Sequence, residues 1–530
     1  MAPVSSGCPN KNPMNKTKLI LLTMLFSQGL CASTLYRGLG PEPDSLDIHQ
    51  AQGLPAIQVL REIREGLTSF DVAGNIIPGV AASWTIDDDG KTYRFELRKN
   101  VRWSNGDALT ASDFVRAWHR AVTPATLART ASLLSPVVNV REALIGAAEP
   151  ASIGIRALSA TTLEIRLDMA VPWFPEILAH PVSFPLHTKH IDQPTQAPVN
   201  GAFMLESLTM HALIRLKKNP QFHASGDVAL DTVDYLPIED PNAELSRYRA
   251  GEIDITETIP AGRHDWLQTY MGDELRVSPY SGSFWLGLNL AREPFANNSK
   301  LRRALALAVD RRIIARLVVG AGELPAWSIV PPGIAGYRPQ AFEGSELEQQ
   351  AREQEAKALY AQAGYGDSKP LLIELRFNTS SQHRKIALAV SSMWRQVLGV
   401  NTELVNEEWK VFVNNRSQGA LTQVFRGGWI ADYADPTSFL DLFRSSNKLN
   451  TTFYKSELFD RLMDQATVLH GDERMQRLQR AEVQLLKDMP VIPLYFYVSR
   501  HMVRQGVSGF EPNVRDIHLS RYIGVESTNP

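Results

Sequence analysis

Two hydrophobic periods are interleaved along this chain, and their interleaving restricts the fold class more than any other feature. Tyr93-Arg-Phe-Glu-Leu97, Thr162-Leu-Glu-Ile-Arg-Leu167, Leu213-Ile-Arg-Leu216 and Leu372-Ile-Glu-Leu-Arg-Phe377 alternate apolar and polar side chains. Each predicts a half-buried strand. A helical period covers 299–319, with Ser299 as the expected N-cap, and others recur near 348–363, 384–398 and 456–488. An irregular mixture of both types over 530 residues predicts an α/β or α+β protein with a large core. There is no internal repeat, no low-complexity tract and no long linker, so any domains should be compact and directly joined. Asn105-Gly106 predicts a turn, and Thr110 with Asp113 predicts a helix start.

Cys8 and Cys31 are the only cysteines, which excludes a disulfide framework or a cysteine zinc site from the bulk of the chain. The N-terminus predicts an export signal over 14–32. Met14-Asn-Lys-Thr-Lys18 supplies positive charge, Leu19 to Phe26 is a short apolar run, and Ser27 to Ala32 contains small residues, with cleavage expected between Gly29 and Ser33. The run is too short to span a bilayer as a helix. Residues 1–13 resemble no part of a signal, which favours Met14 as the start. A lipid anchor on Cys31 is not expected, because Gln28 stands where a lipobox needs Leu and Leu30 where it needs a small residue. A formal net charge of −2, with 44% apolar and 21% charged residues, gives no electrostatic case for nucleic acid or an anionic membrane.

Motifs for catalysis are missing: there is no HExxH, GxSxG, Walker A or CxxC. Asp87-Asp-Asp-Gly90 begins like a calcium loop, but Arg98 occupies the twelfth position, so a hairpin turn is expected instead. Gly320-Ala-Gly322 follows a helix, whereas a dinucleotide fingerprint must precede one. His180, His187 and His190 have no acid among them and predict no metal site. No metal and no cofactor is expected.

The stretch Arg426-Gly-Gly-Trp-Ile-Ala-Asp-Tyr-Ala-Asp-Pro436 is different. As a strand over 425–433 it would put Arg426, Gly428, Ile430 and Asp432 on one face and Gly427, Trp429, Ala431 and Tyr433 on the other. A cation and an anion would then share a face with their Cα atoms about 20 Å apart, too far for an ion pair. They could hold opposite ends of a zwitterionic ligand, with Gly428 letting its backbone approach and pair with the strand. Parity alone leaves Asp432 open as a solvated or capping acid. Asp435 precedes Pro436 and a helical stretch, and predicts a helix N-cap.

The chain resembles the bacterial periplasmic oligopeptide-binding proteins, receptors of peptide ABC importers in extracellular solute-binding protein family 5. The resemblance rests on Arg61 onward, REIREGLTSFDVAGNIIPGVAASWTIDDDGKTYRFELRKNVRWSNGDALTASDFVRAW, and continues in order through Val199-Asn-Gly-Ala202, Tyr235-Leu-Pro-Ile238, Arg247-Tyr-Arg-Ala-Gly-Glu-Ile-Asp254, Asn406-Glu-Glu-Trp409, the 426–436 stretch and Asn450-Thr-Thr-Phe-Tyr-Lys455. It covers residues 34–510. It implies an α/β periplasmic binding protein of type II, with two lobes around a ligand cleft and an extra inserted domain. The implied bounds are 33–64, 189–284 and 499–530 for lobe I, 65–188 for the extra domain and 285–498 for lobe II. It also implies a monomer that is not an enzyme, which encloses short peptides and delivers them to an inner-membrane ABC permease.

By the same resemblance, Asp432 would meet the ligand's α-amino group. Arg426 would meet the carboxylate of longer peptides, assisted by His383, with Arg416 a further candidate. Leu54 and the strand at Gly428, with its neighbours Trp429 and Ile430, would pair with the peptide backbone. Trp409 and Tyr497 would line side-chain pockets. Three departures stand out. Ile430 and Gly282 replace two cysteines that form a disulfide in some members. Val319 replaces a lysine used for short-peptide carboxylates, which favours tripeptides and longer. Gln52 stands where an acid can occur. Relatives on this fold also take murein peptides, haem, metal chelates or bile acids, so the ligand stays open between peptide and non-peptide. A secreted hydrolase is the remaining alternative, and no nucleophile–base pair supports it.

Overall fold

The computed structural model describes residues 33–526, apart from Gln52, Arg129, Ala261, Glu408, Asp432, Lys448, His470 and the side chains of Trp409 and Lys410. The expected export signal, Gln52 and Asp432 therefore lie outside the described residues. Ser33 to the C-terminus forms one unit. No described helix is long and apolar enough to cross a membrane.

Three sheets of four or more strands organise this unit, beside two two-stranded ones, among the described residues. The first has the strand order Thr34–Gly40, Thr232–Pro237, Leu213–Lys218, Phe203–Thr209. Its first pair is parallel and the others are antiparallel. The second is an antiparallel sheet in the order Ala81–Ile86, Thr92–Leu97, Thr162–Arg166, Ile155–Ala157. The third has six strands in the order Leu324–Pro325, Val491–Met502, Leu275–Leu288, Val424–Ile430, Leu372–Asn378, Asn401–Glu407. The four segments that alternate in sequence are all strands, and Tyr93, Phe95 and Leu97 point inward as period two requires.

Burial divides the molecule into two main cores. One gathers apolar side chains from Leu35 to Tyr235, joined by Ile255, Val503, Phe510 and Ile523. The other runs from Phe284 to Tyr495. A smaller cluster contains Leu245, Tyr248, Ile259, Leu275 and Met502. The long antiparallel strands Leu275–Leu288 and Val491–Met502 connect them. Phe284 to Leu288 and Val491 to Tyr495 lie in the second core, while Leu275 and Met502 lie in the small cluster. Their ladder is interrupted between Pro279 and Ser283, and again between Phe284 and Trp285.

Several local expectations are met. Asp87 and Gly90 close the hairpin between the first two strands of the second sheet, and the Thr110 N–H donates to Asp113 at 2.8 Å at the start of helix Ala111–Val122. Others need correction. The period over 299–319 is broken: Ser299–Leu307 ends, and Asp310 restarts the chain by accepting from the N–H groups of Arg312 and Ile313. The N-cap is Asn298, whose side chain accepts from the Leu301 N–H, and Ser299 is already helical. The period over 456–488 is two helices, Glu457–Thr467 and Gly471–Asp488. On the second of these, fully buried Glu482 accepts from the N–H groups of Ile329, Val330 and Gln340 and from the Tyr337 hydroxyl. One carboxylate thus holds the 329–340 loop by four hydrogen bonds.

Candidate ligand-binding site

The stretch singled out in the sequence forms the strand Val424–Ile430, ending sooner than the expected 433. Along its length it pairs antiparallel with Leu275–Leu288, Ile430 lying opposite Gly282 and Val424 opposite Leu288. On its other edge only Val424 and Phe425 pair with Leu372–Asn378. From Arg426 onward that edge has no strand neighbour among the described residues. An unpaired edge offers main-chain donors and acceptors to an extended ligand.

Parity holds. Arg426 and Gly428 share a face, where Arg426 Nη2 lies 3.4 Å from the Tyr497 hydroxyl. A Cβ on Gly428 would lie 3.0 Å from that hydroxyl and 3.5 Å from Arg426 Nη2. A side chain here would press on the Tyr497 hydroxyl, so glycine seats Tyr497 without displacement. Gly282 is in the same position, because a Cβ there would come within 2.6 Å of Tyr497 Cδ2 and 3.4 Å of Ile430. The two positions that would carry a disulfide are thus cross-strand partners, and the Tyr497 ring fills the space beside them. Trp429 lies on the opposite face, with its indole N–H 3.4 Å from Ser438 Oγ. The structure therefore does not bring Trp429 to Arg426.

Arg426 stands in a basic pocket. Its guanidinium lies over the Phe284 ring at 5.1 Å, and the His383 ring packs 5.7 Å from Phe284 on another side. Tyr495 and Tyr497 complete the aromatic wall. His383 is placed by the helix Ser381–Leu398, which starts where the Ser380 hydroxyl accepts from the His383 N–H. The positive end of that helix dipole therefore adds to the pocket. Burial and Arg426 push the His383 imidazole down to about 4, so it is neutral near pH 7. Burial and Arg426 also lower Arg416, in the last turn of helix Trp409–Ser417, to about 10.

No acid compensates these groups among the described residues. Arg426 Nε, Arg416 Nε and His383 Nδ1 are buried without hydrogen-bond partners. Glu407 meets Arg376 and Asn415 through Oε1 alone, its Oε2 being buried without a partner, and Glu323 pairs with Arg500. Two partly buried guanidiniums without a counter-charge among the described residues are costly, and an incoming carboxylate would relieve that cost. The sequence provided no sign of Tyr495, Phe284 or Asn378, whose Oδ1 is also buried without a partner. They reach the pocket from separate strands.

Leu54 lies elsewhere. It opens helix Leu54–Ile63, is 58% exposed, and lines a separate cavity with Arg61, Tyr280 and Arg515. Tyr280 belongs to the strand that carries Phe284, so the two regions lie along one strand. Trp409 opens its helix, with its side chain outside the description.

Asp435 is not the N-cap, a position held by Pro436 ahead of Thr437–Leu440. It accepts from the Thr437 N–H and hydroxyl, and forms a buried two-point ion pair with Arg474 at 2.6 and 2.8 Å. Next to it, Tyr433 stacks on Trp173 at 4.9 Å. Glu176 accepts from the Ala434 N–H and pairs with Arg515. Residues that follow position 432 are thus held from two separate parts of the chain, the 173–176 segment and Arg474. Of the three histidines considered for metal, His187 finds an acid after all, Asp107 at 2.9 Å.

Comparison with known proteins bears on this arrangement. Residues 75–451 match the family model described as bacterial extracellular solute-binding proteins, family 5 Middle. The periplasmic oligopeptide-binding protein OppA of Salmonella typhimurium is 38% identical over 488 residues, 90% of this chain and 89% of the relative. The probable deoxycholate-binding periplasmic protein YgiS of Escherichia coli is 36% identical, over 88% of this chain and 89% of the relative. The unliganded open form of the periplasmic murein tripeptide-binding protein MppA superposes with a TM-score of 0.84 at 33% identity, covering 93% of this chain and 97% of that one.

Proposed function

Because this chain belongs to the family 5 bacterial extracellular solute-binding proteins and has their type II periplasmic binding fold, we propose that it captures short peptides in the periplasm and hands them to an inner-membrane ABC permease. The observation that carries this reading is the pocket of Arg426, Arg416 and His383, which has no compensating acid among the described residues, beside the edge of Val424–Ile430 that is unpaired from Arg426 onward among those residues. A peptide laid along that edge would pair through its backbone without regard to its side chains. Its carboxylate would supply the missing negative charge, and Asp432, further along, would receive the amino end. Tyr497 and Trp409 would border side chains, and Leu54 would approach from the facing wall. The domain bounds given above would then place the cleft beside the two long strands.

A second reading is a non-peptide carboxylate, favoured by the similarity to a probable deoxycholate-binding protein. Both ligands satisfy Arg426, but only a peptide needs Asp432. Native mass spectrometry of protein purified from its own cells, followed by denaturation and identification of what is released, separates them. A family of short peptides is expected. Asp432→Asn should then weaken peptide binding by at least about 2 kcal/mol, since a charged end loses its partner. A single non-peptide mass, with an affinity that Asp432→Asn leaves unchanged, would favour the second reading.

A further inference from the structure

We propose that His501, Asp516 and His518 bind one divalent transition-metal ion of the zinc class, at a site separate from the basic pocket. The proposal does not depend on the ligand reading above. His501 Nε2 lies 2.8 Å and His518 Nε2 3.0 Å from Asp516 Oδ1, and one ligand atom from each residue falls within 4.8 Å of the others. Zinc bonds of about 2.0–2.1 Å in tetrahedral array set their ligand atoms about 3.3 Å apart. A small spreading of the three groups is enough to admit an ion.

The outer contacts favour this role. His501 Nδ1 is 2.8 Å from the Thr256 carbonyl, which can only accept. A ring hydrogen is therefore on Nδ1, and Nε2 faces Asp516 Oδ1 through a second hydrogen, which an incoming ion would displace. A histidine held by a carbonyl through its far nitrogen is a recurrent second-shell arrangement around metals. His518 is held through its ring, stacked 3.8 Å from Phe510, and its carbonyl, which accepts from Arg37. Asp516 has a left-handed backbone, φ 55°, and its N–H donates to the Asn513 carbonyl. Backbone and ring contacts thus hold the three ligands within a small movement of a coordinating array.

The cluster also has an open side. It borders a cavity of about 80 Å³ whose lining includes Glu257, Tyr280 and Gln58. The Glu257 carboxylate has no hydrogen bond or ion pair among the described residues, which suits it to complete the coordination directly or through water. Two imidazoles and a carboxylate select zinc, cobalt or nickel over calcium or magnesium, which prefer all-oxygen sites. Such an ion would tie the strand Val491–Met502 to the segment that follows it, under the helix that Leu54 opens.

The test is a titration of the chelator-stripped exported protein with Co²⁺ alone, followed by displacement with Zn²⁺. One equivalent should give a visible d–d band without a thiolate charge-transfer band, Zn²⁺ should abolish it, and Zn²⁺ should raise the melting temperature. His518→Gln and Asp516→Asn should each weaken uptake by more than the roughly 10–100-fold that loss of an outer-shell partner costs. Circular dichroism identifies a variant that fails to fold, and the other variant then decides. No saturable uptake at millimolar Co²⁺ would overturn the proposal, leaving a hydrogen-bonded triad. So would a thiolate band, or uptake that the folded variants leave unchanged.

Discussion

Arg426 sits where a charge is least comfortable, partly buried against Phe284 with its Nε unpartnered and another guanidinium acting on it. Arg426→Met should therefore cost affinity for a carboxylate ligand, by at least about 2 kcal/mol in titration calorimetry, while leaving the fold intact. His383 gives the pocket a pH signature. In the free protein its imidazole is depressed to about 4. A bound carboxylate would favour the imidazolium and raise that value, so binding should take up protons. Affinity should increase as pH falls through the bound-state value and level off near 4. The same depression lowers stability as pH falls from 6.5 toward 4, because the unfolded chain then holds the extra proton. At this scale parity was legible: the alternation of 425–433 puts Arg426 and Gly428 on one face. Tyr497 against Gly282 was beyond reach, since no local period connects residues on different strands.

Among the elements, the strand Val424–Ile430 is defined as much by what it lacks on one edge as by its partner on the other. Its early end hands the chain to Asp435, whose ion pair with Arg474 leaves both side chains under 10% exposed. Asp435→Ala should destabilise the protein by about 3–5 kcal/mol in urea titration, because it strands a buried guanidinium. An ordinary cap would cost only about 1 kcal/mol. The difference explains why the sequence was misleading here. Asp-Pro ahead of a helical stretch looks like a cap from local chemistry, and the partner is 39 residues away. Helix periods were legible to within a few residues at 349–362 and 381–398. The break after Leu307 was not, because the apolar period continues across it while Asp310 restarts the backbone. His501, Asp516 and His518 left no signal at all, being brought together by a bend after the strand.

For the whole molecule, the interrupted ladder between Leu275–Leu288 and Val491–Met502 lies where the chain passes from one set of packed side chains to the other. A ligand that closes the cleft about that passage binds the native state alone. Peptide at 100 times its dissociation constant should then stabilise the protein by about 2.7 kcal/mol, seen as a rise in melting temperature, with a smaller radius of gyration in solution scattering. An unchanged radius on saturation would count against closure.

The two connecting strands also govern the order in which the chain can fold. Val491–Met502 is made almost last, yet it borders the central strand of the six-stranded sheet. The first sheet, too, is tied to late residues, since Arg37 binds the His518 carbonyl. Neither half can be completed until nearly the whole chain has been made, and pairing over such separations is slow. The sheet of Ala81–Ile86, Thr92–Leu97, Thr162–Arg166 and Ile155–Ala157 draws on early residues alone, whereas the other two large sheets wait for strands or contacts made late in the chain. The six-stranded sheet is complete only once its last long strand, Val491–Met502, has been made.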